Sequence, residues 1–106
     1  MAKNVSLLGR TEIVLDEVEQ HIDTRDVRLL SGTTLDDVRR TFDEHAIDMV
    51  IMGAGLDLDV RLQIVRHVFT ASKSATVHMK DTASGPQGML PFVTGILTAL
   101  VGKDPA

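Results

Sequence analysis

The chain has 106 residues, which reads as a single domain, 1–106, long enough to bury a core. Its net charge of −4 argues against nucleic acid and anionic membrane surfaces as partners, since both reward clustered positive charge. The absence of cysteine excludes disulfides and thiolate metal sites and suits a reducing compartment. There is also no Trp or Tyr, and Phe42, Phe69 and Phe92 all fall in apolar helical stripes, where packing accounts for them better than stacking on a flavin or a base. The apolar, charge-free run 89–102 is interrupted by Pro91 and Gly95 and is shorter than the ~20 apolar residues a bilayer span needs. The opening Met1-Ala2-Lys3-Asn4 leads directly into a strand pattern without a signal-peptide apolar region. A cytoplasmic protein with no membrane partner is expected.

In chain order, Val5-Ser6-Leu7-Leu8 reads as a strand ended by Gly9. Thr11 can cap a helix whose Val14, Val18 and Ile22 recur every four residues, while Glu12, Asp16, Glu17, Glu19 and Gln20 face out. Val27-Arg28-Leu29-Leu30 is a second strand, with Asp26 and Arg28 marking it as an edge. Thr34-Leu35-Asp36-Asp37 has the form of a capping box, opening a helix that buries Leu35, Val38 and Phe42. Met49-Val50-Ile51-Met52 is a continuous apolar run, the pattern of a strand buried on both faces. Gly53-Ala54-Gly55 then turns the chain into a helix that starts near Asp57 or Asp59 and runs to about Phe69. Ala75-Thr76-Val77-His78-Met79-Lys80 alternates, predicting a fourth strand with one well-buried face. A loop over 81–88 precedes a last helix over 90–101, with Pro91 tolerated in its first turn.

Successive βα units imply a three-layer α/β domain with a four-stranded parallel sheet, most simply in the order 2-1-3-4. Ligands in such sheets bind beyond the carboxyl ends of the strands, where the order reverses. The residues placed there are Gly9, Arg10 and Thr11 after the first strand and Gly53, Ala54 and Gly55 after the third, with Lys80, Ser84, Gly85 and Gly88 on the same rim. A phosphate could approach helix-start amides past these glycines. Against that, Gly-x-Gly is common, the third glycine of a dinucleotide fingerprint is replaced by Leu58, and a tight strand-to-helix turn explains the pair. Arg10 and Lys80 equally fit a solvated surface. Asp57 and Asp59 could hold a hard cation, but serve as well at a helix start. His21, His45, His67 and His78 have no metal-ligand spacing, and Ser31 and Ser84 have no nearby His to activate them. No catalytic residue, metal or cofactor is therefore assigned.

The element order and the run Ile47-Asp48-Met49-Val50-Ile51-Met52 resemble a response-regulator receiver domain, with its flavodoxin-like fold. The resemblance rests on patterning. Where receivers carry an acidic pair after the first strand this chain has Gly9-Arg10-Thr11, and where they carry the phosphoacceptor Asp it has Met52-Gly53. Lys80 ends the last strand as the receiver lysine does. The resemblance thus implies a pseudo-receiver that cannot be phosphorylated. The layout is also similar to small uncharacterised bacterial Rossmann-like proteins with Leu-x-Gly-Arg after the first strand, here Leu7-Leu8-Gly9-Arg10. The expected function is a non-catalytic regulatory or interaction module. The alternative is a nucleotide or phosphate site at the ends of the first and third strands.

Two helices have more apolar surface than a small sheet can cover. In the third helix, Leu58, Leu62, Val65 and Phe69 form one stripe and Val60, Ile64 and Val68 another. We assign the first to the sheet and the second to a homodimer interface, joined by His78 on the fourth strand and by Phe92, Ile96 and Leu100 on the last helix.

Overall fold

The computed structural model describes residues 3–10, 16, 20, 27–83 and 85–99. Four strands form one parallel sheet: β1 (Lys3–Leu8), β2 (Val27–Gly32), β3 (Met49–Met52) and β4 (Thr76–Met79), in the order β2-β1-β3-β4. Three helices are described from end to end: α1 (Leu35–Glu44), α2 (Leu58–Ala71) and α3 (Met89–Leu97), the last entered through a 3-10 turn at Pro86–Gly88. This is the α/β class and strand order that the sequence predicts. Of residues 11–26, Asp16 and Gln20 are described; both are helical and exposed, as the pattern requires. Thr11 and His21 lie outside the described residues.

The β3 run is buried on both faces, and its alternation distributes the chain between two cores. On the α3 side, Val5, Leu7, Met49 and Ile51 pack with Met89, Val93 and Leu97. On the other side, Leu8, Val50 and Met52 pack with Val38 of α1 and with Ile64 and Val68 of α2. The sheet is thereby sandwiched between α3 and the pair α1–α2. The start of β1 is tied to the turn before β3. The Asn4 N–H donates to the Asp48 carboxylate at 2.9 Å, and its side-chain amide donates to the Ala46 carbonyl at 2.8 Å. The return from α2 to β4 is closed by the Ser72 hydroxyl, which accepts from the N–H groups of Ser74 and Ala75.

The capping box at α1 forms as the sequence predicts. The Thr34 hydroxyl accepts from the Asp37 N–H at 3.1 Å, and the Asp37 carboxylate accepts from the N–H groups of Thr33 at 2.8 Å and Thr34 at 3.2 Å.

Apart from Val65, which is half-buried and packs against the core as expected, the stripes of α2 are the reverse of the expected ones. Ile64 and Val68 are 0% exposed and Val60 is half-buried, whereas Leu58, Leu62 and Phe69 are 58%, 53% and 58% exposed. Ile64 and Val68 therefore belong to the core and are withdrawn from the interface. The compact β-branched side chains let α2 settle closely on Leu8, Val50 and Met52. On the last helix, Phe92 and Ile96 are half-buried against the α3-side core and are not a free stripe. Leu100 lies outside the described residues.

The predicted alternation of β4 also holds only in part. Ala75 is buried and Val77 half-buried, but Met79, at the carboxyl end of this edge strand, is 46% exposed.

Candidate functional site

Beyond the carboxyl ends of β1, β2 and β3 lies a cleft of about 490 Å³ lined by Arg10, Thr33, Thr34, Leu35, Gly55, Leu56, Asp57, Val60 and Gln63. It opens between the starts of α1 and α2, at the place where the strand order reverses. Arg10 is exposed and has no ion-pair partner among the described residues. Gly55 sits directly on it: a Cβ at position 55 would lie 2.7 Å from the Arg10 Cβ, so only glycine permits this approach. The two helix starts differ. At α1 the Asp37 carboxylate already occupies the free amides. The Thr33 N–H is the main cause holding that carboxyl below the usual carboxylate range, opposed by partial burial and helped by Thr34 and Arg40. At α2 the cap residue Asp57 makes no side-chain hydrogen bond to the helix amides.

Of the residues expected on the rim, Arg10 and Gly55 meet in this cleft. The others do not line it. Gly9 is buried and its N–H donates to the Gly32 carbonyl at 3.3 Å. Gly53 is buried beneath Met89, with its N–H on the Leu8 carbonyl at 2.9 Å. Ala54 is half-buried in the turn between them. Lys80 is 4% exposed, which overturns the solvated-surface reading, and its Nζ donates to the Asp81 carbonyl at 2.9 Å. Gly85 (φ 70°) makes a turn with Gly88, the cap position of α3. Thr11 and Ser84 lie outside the described residues. Thr33, Thr34 and Gln63 were missed. The order 2-1-3-4 was the signal that could have found the two threonines, because it brings the end of β2 beside that of β1.

A second surface stands out at the opposite edge. Phe42 of α1 meets the His67 ring edge-on at 5.7 Å and 84°, so α1 lies on the His67 flank of α2. At about 100° per residue, Leu58, Leu62 and Phe69 fall within about 40° of one another on the contrary flank, above β4. Met79 shares the face of Val77, which packs into the α1–α2 core. The four therefore line the β4 edge of the molecule on its helical side. His78 points to the other face, where its Nε2 lies 3.0 Å from the Thr76 hydroxyl, and partial burial lowers its pKa.

Among the described residues no three His, Asp or Glu side chains converge on a point that could hold a metal ion, and no helix is long and apolar enough to cross a membrane. Comparison with protein-family models, with curated proteins and with solved structures finds no match.

Proposed function

We propose that the chain is a non-catalytic interaction module, receiver-like in layout and regulatory in role, that works in the cytoplasm as a homodimer. The observation that carries this reading is the strip of Leu58, Leu62, Phe69 and Met79, each about half exposed along one edge. Single exposed apolar residues are ordinary on a monomer; a contiguous row of large ones marks association. Multi-angle light scattering tests it: a dimer at ~100 μM, far above the micromolar range of ordinary interfaces, is expected, and Phe69→Lys should shift it to monomer. A wild type that stays monomeric at that concentration contradicts the reading. The pseudo-receiver aspect rests on Gly53 at the end of β3. Incubation with acetyl phosphate and a divalent cation should leave the intact mass unchanged; a stable adduct would remove that aspect.

The cleft at the strand ends supports a second reading, a weak site for a phosphate-bearing small molecule with Arg10 as its cation. Titration with phosphate or NAD(P) should then move the amide resonances of Arg10, Gly55 and Thr34. If they stay still at millimolar ligand, the cleft is structural.

A further inference from the structure

We propose that the partner on the β4 edge is a second copy of this chain, joined strand to strand: β4 pairs antiparallel with β4 of its partner, so that the two sheets become one of eight strands, and the two α2 helices pack side by side above the junction. This geometry deepens the proposed homodimer and rests on that reading.

Three features of the edge fit a twofold copy of itself. The first is the main chain. Thr76 and Lys80 donate their N–H groups to Asp48 and Met52, at 3.3 and 2.9 Å, so the even-numbered residues of β4 turn their amides inward to β3. In a parallel ladder the odd-numbered residues, Val77 and Met79, then turn theirs to the outer edge, which no described strand covers. An antiparallel partner satisfies these groups when Val77 of one protomer lies opposite Met79 of the other. Such a register is its own mirror under a twofold axis through the His78 pair. The edge also lacks the usual protection against this pairing: β4 carries no lysine, proline or bulge of its own.

The second feature is the height at which the two elements sit. Helix α2 runs back against the direction of β4, and spans about 21 Å at 1.5 Å per residue against about 13 Å for the strand. One axis through the His78 pair serves both elements when the α2 midpoint lies level with it, which the geometry requires. The strand spacing of about 4.8 Å sets the lateral distance. In this geometry a helix seated midway between β3 and β4 lies two strand spacings, about 9.6 Å, from its copy, within the 8–10 Å of packed helices.

The third feature is the surface of α2 itself. In an antiparallel pair about that axis, Leu58 of one helix faces Phe69 of the other and Leu62 faces Val65, each contact occurring twice. Asp59 and Arg66 flank the apolar strip on its solvent side, and neither has an ion-pair partner among the described residues. The same register sets Asp59 of each protomer beside Arg66 of its partner. An unrelated partner has no reason to find hydrophobic and charged positions balanced about the middle of one helix.

Sedimentation equilibrium in low salt, with circular dichroism to verify folding, tests the geometry in two independent ways. Val77→Pro removes an outward N–H that the protomer does not use; it should weaken dimerisation at least 10-fold and leave the helical signal unchanged. Asp59→Arg and Arg66→Asp should each weaken it several-fold, and the double variant should recover most of the loss. The charge exchange stands alone if the proline variant fails to fold. A monomeric wild type at ~100 μM removes the homodimer reading and this geometry with it. A dimer that tolerates Val77→Pro, or whose charge variants weaken without mutual rescue, overturns the strand-to-strand geometry and leaves the homodimer intact.

Discussion

Helices α1 and α2 lie side by side on one face of the sheet, yet only α1 is finished as a surface helix. Its solvent side carries Asp36, Arg39, Arg40, Asp43 and Glu44, its start is closed by the Thr34–Asp37 capping box, and one side chain, Val38, is fully buried. Helix α2 has no side-chain cap, buries Ile64 and Val68, and still presents Leu58, Leu62 and Phe69 to solvent. Both helices meet the same sheet under the same rules, so the difference does not come from the core. On the proposed interaction reading, the apolar content of α2 exceeds what its own fold requires because a second surface has to be covered.

The contrast can be broken at several points. The largest effect is expected inside α2. Ile64→Ala opens a cavity beneath the helix and should cost about 2–5 kcal/mol in urea unfolding. Leu62→Ala, two residues away, should change protomer stability by less than ~0.5 kcal/mol, the range of surface positions. A comparable loss at both positions would erase the distinction between the stripes. Next comes the start of α1. Asp37→Ala strips the Thr33 and Thr34 amides of their acceptor and should cost about 1–2 kcal/mol at neutral pH.

That contribution has a pH signature. The folded Asp37 carboxyl titrates below its unfolded value of about 3.9, so its stabilisation is complete above that value and is lost as pH falls through the folded one. In chemical unfolding the stability gap between wild type and Asp37→Ala should be smaller at pH 3 than at pH 7. Asp57→Ala, at the uncapped start of α2, should stay within ~0.5 kcal/mol at both, since no side-chain hydrogen bond is lost. The smallest effect belongs to His78. Burial lowers its folded pKa, so the unfolded chain binds the proton first, and stability declines as pH drops from about 6.5 through the folded value. His78→Gln should flatten the slope of stability against pH in that window.

Much of this architecture is legible without coordinates. The unbroken Met49–Met52 run identifies the central strand because only a strand covered on both faces can be apolar at every position. Thr34 and Asp37 identify a helix start because their spacing completes two reciprocal hydrogen bonds. The orientation of α2 is less legible. Its two stripes are equally apolar, and choosing the bulkier residues for the core is wrong here. Which stripe turns inward depends on how closely the helix approaches Leu8, Val50 and Met52 and on the position of Phe42 in α1. Those are properties of the assembled layers, which periodicity does not contain. Lys80 is a similar case. A lysine at a strand end reads as solvated, whereas here the chain covers it and its ammonium meets the Asp81 carbonyl. At the strand ends, Arg10 and Gly55 were identifiable from the turns that follow β1 and β3, but their contact depends on the absence of a side chain at position 55.

One paired measurement tests the central claim most directly: thermal unfolding and sedimentation of Leu62→Asp beside Ile64→Asp. The two variants place the same charge two residues apart on one helix. With Leu62 on the association surface and Ile64 in the core, Leu62→Asp should be folded and monomeric, with a melting transition close to that of the wild-type protomer. Ile64→Asp should lose its cooperative transition, because an unpaired charge would be buried against the sheet. The opposite pattern, a folded monomer from Ile64→Asp and an unfolded chain from Leu62→Asp, would contradict the account.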